Sequence, residues 1–123
     1  MQTSKKHVYA FDFDGVIASY KGFVGPEHAM APLAEVVKAI RILKEHGHKI
    51  LIHSTRGNEF LKKYCDEHNI PIDYYNKNPE LEGVNPGKPI AYVYIDDRAV
   101  CYKGQPAEKL VEEIEQFKAY WQE

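Results

Sequence analysis

Asp12 and Asp14 stand two residues apart in Ala10-Phe11-Asp12-Phe13-Asp14-Gly15-Val16-Ile17, directly after the apolar run Val8-Tyr9-Ala10-Phe11. A carboxylate at the end of such a run must be hydrated, paired or metal-bound, because burying it alone is too costly. Two carboxylates on one short turn repel each other, and a hard divalent cation relieves that repulsion. Alone the tripeptide is a weak signal, since Asp-x-Asp turns occur in many loops. Two further apolar runs end in polar groups: Lys49-Ile50-Leu51-Ile52-His53 before Ser54-Thr55-Arg56-Gly57, and Ile90-Ala91-Tyr92-Val93-Tyr94-Ile95 before Asp96-Asp97-Arg98. Lys88 lies just ahead of the last run.

Brought together around a phosphate, these groups have defined uses. Mg2+ held by the carboxylates offsets the repulsion between an anionic phosphoester and an anionic nucleophile. Asp12 can attack phosphorus, giving an acyl phosphate that water later hydrolyses. Asp14 can protonate the leaving oxygen and then deprotonate the water. Ser54 offers a hydroxyl and a backbone N–H beside a helix start, which favours anions. Lys88 balances charge, and Thr55 and Arg56 are further candidates for contact with the substrate phosphate. Arg56 could equally pair with a carboxylate of the site.

The elements that must position them follow from periodicity. The first two apolar runs are short and lack polar alternation, as buried parallel strands do. Leu33, Val36, Val37, Ile40 and Leu43 recur at helical spacing, with Pro32 in the first turn and Gly47 as the stop. Asn58 is placed to cap a second helix with Phe60, Leu61, Tyr64 and Cys65 inward, closed by Asn69 and Pro71. Residues 70–75 read as a short third strand, 76–89 as a Pro- and Gly-rich loop, and 90–95 as a strongly apolar fourth strand. Gln105-Pro106 opens a last helix whose Leu110, Ile114, Phe117 and Trp121 line one face. Residues 18–31 form a structured loop over the end of the first strand, where Tyr20 and Phe23 are packing or flap residues. This order implies an α/β domain with a mostly parallel sheet and helices on its faces. Ligands bind such sheets beyond the carboxyl ends of the strands, where strand order reverses. Asp12, Ser54 and Asp96 all fall there.

In order, Asp12-Phe13-Asp14-Gly15-Val16-Ile17, Ser54, Lys88 and Asp96-Asp97 resemble the four motifs of the haloacid dehalogenase (HAD)-like hydrolase superfamily, and the resemblance covers nearly the whole chain. It implies a three-layer Rossmann-like domain with Asp12 as nucleophile and Mg2+ ligand. It makes Asp14 the acid/base, binding the metal through its backbone carbonyl, and Asp96 and Asp97 ligands directly or through water. An Asp at the second position resembles the phosphatases and phosphomutases. Two departures stand out. Lys88 is followed by Pro89 and a strand rather than a helix, which makes Lys77 a rival, and the two usual cap insertion points hold only about fifteen residues each, too few for a cap domain. The chain is similar to a small capless phosphatase, acting on a small phosphorylated metabolite or nucleotide, or on a macromolecular phosphate. A second copy could cover the open site.

At 123 residues the chain is one domain, 1–123, and its net charge of -2 gives no broad basic field for nucleic acid. Cys65 and Cys101 have no Cys-x-x-Cys spacing and read as reduced core or near-core thiols. The polar start and the lack of a long apolar stretch lead to the expectation of a cytoplasmic protein off the membrane. Gly83-Val84-Asn85-Pro86-Gly87-Lys88-Pro89 is not a P-loop: its spacing is one residue short, Pro89 replaces the hydroxyl, and no helix follows. His53 reads as a packed strand-end residue and Arg98 as a brace for the Asp96-Asp97 turn. A receiver-type signalling domain would carry its adjacent acids first and a lone acceptor Asp later, the reverse of this order. A non-catalytic binding module would not need both Asp12 and Asp14.

Overall fold

A computed structural model describes residues 5–81 and 87–122. Part of the 76–89 loop, including Gly83 to Pro86 of the P-loop-like stretch, and Met1 to Ser4 of the polar start lie outside the described residues. The elements are β1 (Val8–Phe11), α1 (Ala34–Glu45), β2 (Lys49–Ile52), α2 (Asn58–Glu67), β3 (Tyr74–Tyr75), β4 (Val93–Ile95) and α3 (Ala107–Glu115). The four strands form one all-parallel sheet in the order β3-β2-β1-β4. The chain steps from β1 outward to β2 and β3, then returns to the other side of β1 for β4. The reversal lies between β1 and β4. Phe11 is in register with both Ile52 and Ile95, so the residues after these three strands emerge side by side.

The core gathers on one half of this sheet. Phe11, Phe13, Ile17, Ile40, Ile50, Ile52, Leu61 and Cys65 are buried in a single cluster, with α1 packed on β2 and α2 on β3. The stop at Gly47 follows from its positive φ of 89°, which a side chain rarely adopts. There the Gly47 and His48 N–H groups donate to Lys44 and Leu43 carbonyls, the paired bonds of a Schellman ending. Lys44 also pairs with Asp73 at 2.6 Å, and Asp73 accepts the Ile50 N–H at 2.8 Å, which ties α1 to the strand edge.

Several elements depart from the sequence expectation. Asn58 is the first residue of α2 rather than its cap; Gly57 holds that place, and the Asn58 amide bridges to Tyr75 and Asn76 instead. Only Tyr74–Tyr75 of the third apolar run enters the ladder, because Ile70 turns into the core and Pro71 has no N–H to give. The fourth run is not buried on both faces. It is an edge strand of three residues, with Tyr92 67% exposed beside it. Tyr94 folds back on the preceding turn, its hydroxyl donating to the Pro89 carbonyl at 2.6 Å. Helix α3 stops at Glu115, short of Phe117 and Trp121, and none of its residues is buried. Cys65 is buried as expected, whereas Cys101 is exposed. No helix among the described residues is long and apolar enough to cross a membrane.

This division gives a stability test. Ile40 is fully buried and Ile114 is 55% exposed. Ile40→Ala is expected to cost about 2–5 kcal/mol in denaturant unfolding. Ile114→Ala is expected to cost no more than about 0.5 kcal/mol.

Candidate metal centre

Asp12 emerges at the carboxyl end of β1, its N–H donating to the Ile95 carbonyl of β4 at 2.9 Å. That bond carries the β1–β4 ladder one residue further and brings Asp12 beside Asp96 and Asp97. Asp12, Asp96 and Asp97 each offer a carboxylate oxygen, and the three lie within 4.8 Å of one another. Three carboxylate oxygens gathered this closely could hold a hard divalent cation, which takes oxygen ligands. Asp97 Oδ1 is buried without a hydrogen-bond partner among the described residues. A buried carboxylate oxygen left without a donor is costly, and a cation satisfies it. The residues present therefore fit a hard cation, with oxygen ligands alone.

The electrostatics agree. Burial pushes the Asp12 carboxyl up from 3.8 to about 8, with a hydrogen bond to Asp97 as the next cause. The Phe13 N–H, donating to Asp12 Oδ1 at 2.8 Å, opposes this, and the charges of Asp96 and Asp97 add to the rise. A bound cation would favour the charged carboxylate and so oppose this rise.

Asp14 is not part of the cluster. Its carboxylate receives both arms of Arg56, Nε to Oδ2 and Nη2 to Oδ1, each at 2.9 Å. The third nitrogen, Nη1, donates to the Gly25 and Pro26 carbonyls at 3.1 and 2.8 Å. Arg56 is buried, and its guanidinium lies 5.5 Å from the Phe13 ring centre and 5.0 Å from that of Phe60. Of the two uses open to Arg56 in sequence, the ion pair is the one this conformation has.

A cleft of 640 Å3 opens over the centre, lined by Asp12, Asp14, Ser54, Thr55, Arg56, Asp96 and Asp97 among the expected residues. Ser54 caps the next turn by accepting the Arg56 N–H at 3.1 Å, and its own N–H donates to Asn76 Oδ1 at 2.8 Å. That N–H is thus engaged, and the Ser54 hydroxyl hydrogen is the donor left to it. Lys88 does not line the cleft; its ammonium sits 4.5 Å from the Tyr94 ring centre, although Gly87 beside it does. Lys77 is exposed and outside the cleft lining. His53, Arg98, Tyr20 and Phe23 line it. The Arg98 N–H braces the acidic turn by donating to Asp96 Oδ1 at 2.8 Å.

Sequence reasoning missed two contributors. Asn76 lines the cleft directly after β3, in a left-handed conformation with φ 60° that Asn tolerates. The rule that found Asp12, Ser54 and Asp96, a polar residue closing an apolar run, applies to it equally. The second is the chain's end. Trp121 Nε1 donates to Asp97 Oδ2, and the Tyr120 hydroxyl donates to the Gly15 carbonyl at 2.6 Å. No local pattern announces that return.

A second cleft, of 570 Å3, lies along α2 between Glu59, Lys63 and Glu67. Among the described residues it holds no cluster of metal ligands.

The fold has relatives among solved structures. A conserved protein from Bacteroides thetaiotaomicron is similar with a TM-score of 0.64 and 24% identity, over 91% of each chain. A protein from Vibrio cholerae is similar with a TM-score of 0.51 and 18% identity, over 91% of this chain and 98% of the other. At these identities the likeness is one of fold. No protein-family model matches the sequence, and no curated protein does.

The raised Asp12 value has a signed consequence for metal-free protein. The folded state keeps a proton that the unfolded chain releases near pH 4, so its stabilising effect is complete below that and lost as pH rises towards 8. Melting temperature in EDTA is expected to fall across that window. Asp12→Asn should remove most of the decline relative to the parent, and Mg2+ should restore stability at pH 8.

Proposed function

We propose that this chain is a Mg2+-dependent phosphomonoesterase of the haloacid dehalogenase-like kind, acting through an aspartyl phosphate on a small phosphorylated metabolite or nucleotide. The observation that carries this reading is the meeting of Asp12, Asp96 and Asp97 at the strand-order reversal, across from Ser54 in one cleft. Asp12, Asp96 and Asp97 would hold the ion, with the backbone carbonyl of Asp14 as a further ligand. When bound, the ion supplies neutralising charge for the phosphoryl oxygens.

The side chains then have separate work. An Asp12 carboxylate oxygen attacks phosphorus as the ester P–O bond breaks, and Asp14 gives its proton to the departing oxygen. Water attacks the acyl phosphate, Asp14 takes the water's proton, and phosphate leaves with the Asp12 carboxylate restored. Ser54 and Thr55 hydroxyls orient the phosphoryl oxygens, and Lys88, which must leave its place over the Tyr94 ring to reach the cleft, supplies the compensating cation. Arg56 acts as a positioning residue: its fork sets the Asp14 carboxylate, and one arm must open when Asp14 carries a proton.

Hydrolysis of p-nitrophenyl phosphate is expected to vanish in EDTA and return with Mg2+; full activity in EDTA would sink the assignment. Asp12→Asn should fall to background on every ester. Asp14→Asn should lose more on alkyl than on aryl phosphates, because an alkoxide needs the proton and p-nitrophenolate needs it less.

The lysine assignment has its own test. Lys88→Ala is expected to reduce turnover at least tenfold with unchanged circular dichroism, and Lys77→Ala to leave it near the parent value. The opposite ranking would move the role to Lys77. Phosphate release from a panel of sugar phosphates, nucleotides, phosphopeptides and phosphorylated oligonucleotides ranks the substrate classes.

A further inference from the structure

The last turn of the chain is fastened to both sides of the metal centre. Ala119 is 2% exposed, and the turn closes on itself through Ala119 N–H to Gln122 Oε1 at 2.8 Å and Gln122 N–H to the Ala119 carbonyl at 3.0 Å. From it Tyr120 reaches the Gly15 carbonyl, on the turn that follows Asp12 and Asp14. Trp121 reaches Asp97, on the turn that follows β4. Gly15 has φ 85°, and a Cβ there would collide with Asp97 Oδ2 and stand 3.0 Å from Trp121 Nε1. Gly15, Asp97 and the indole thus occupy one tight junction, with the Tyr20 ring packed T-shaped on the indole at 4.7 Å between centres.

We infer that Tyr120 and Trp121 form a clamp that positions Asp97 and sets the divalent-cation affinity of the centre. The inference rests on the metal reading of the Asp12, Asp96 and Asp97 cluster. The indole N–H is a neutral donor, so it fixes Oδ2 without competing with a cation for charge. It leaves Oδ1 buried and, among the described residues, without a hydrogen-bond donor, available as a ligand. Groups that orient metal ligands in this way commonly change affinity 10–100-fold when removed. Tyr120 acts one step further off, by holding the turn against which Asp97 packs. Neither residue touches the reacting atoms; both are positioning residues.

Trp121 is the sole tryptophan of the chain, so the protein carries its own reporter. Protein stripped with EDTA and dialysed is titrated with MgCl2, following indole fluorescence and heat in parallel. Fluorescence should change and saturate at the calorimetric midpoint. By calorimetry, Trp121→Phe should weaken Mg2+ binding about tenfold or more, Tyr120→Phe should weaken it less, and Ile114→Ala on neighbouring α3 should leave it unchanged. Wild-type affinity in Trp121→Phe, or a silent indole while heat reports binding, overturns the clamp. Should Trp121→Phe lose its native circular dichroism, the parent's fluorescence midpoint and Tyr120→Phe decide. A parent that binds no Mg2+ overturns the metal centre and the clamp with it. Absence of phosphatase activity in a protein whose indole tracks Mg2+ overturns the hydrolase reading and leaves the clamp standing.

Discussion

Mutual repulsion among carboxylates at one end of a parallel sheet is the constraint on which this structure depends. The register that sets Phe11 between Ile52 and Ile95 leaves Asp12 no position away from Asp96 and Asp97. The protein answers with donors of limited charge. Backbone N–H groups serve Asp12 and Asp96, an indole serves Asp97, and burial favours the protonated form of Asp12 in the absence of metal. Among the described residues only Asp14 receives a full positive partner, Arg56, and it is the one acid of the set outside the cluster. A guanidinium among the other three would fill the place of a cation. The separation between one neutralised carboxylate and three that await charge makes the site suited to an ion.

Arg56 does more than pair. Its fork is spent on Asp14, its remaining nitrogen on two carbonyls of the 18–31 loop, and its faces lie by Phe13 and Phe60. The loop over the site is therefore anchored through the acid that the proposed hydrolase uses for proton transfer. Lysine could not substitute, since a point charge cannot reproduce a bidentate fork and two further bonds from one plane.

How far the sequence could be read depended on whether burial and pattern coincided. For β1 and β2 they do: both strands lie inside the sheet, so an unbroken apolar run means a covered strand, and the polar residue after it marks the site. The 90–95 run has the same composition at an edge, where pattern carries no information about cover, and only three residues pair. Phe117 and Trp121 extend a helical repeat on paper, yet the chain leaves α3 at Glu115 to bring Tyr120 and Trp121 back to the centre. Trp121 lies 24 residues from Asp97 and Tyr120 lies 105 from Gly15, beyond any periodicity. Arg56 was legible as a choice between phosphate and carboxylate; geometry selected the carboxylate for this conformation.

The uneven distribution of the core has a dynamic meaning. Asp12 hangs from β1, backed by Phe11, Phe13, Ile17 and Ile52, while Asp96 and Asp97 hang from an edge strand, and α3 beyond them in sequence has no buried residue. Few covered contacts and solvent-facing backbone hydrogen bonds are the marks of a segment that opens locally at low free energy. The amides of β4 and α3 should accordingly exchange with solvent well ahead of those of β1 and β2. An ion shared between the two halves would then act as a staple across a seam, its binding free energy spent partly on quieting the softer side.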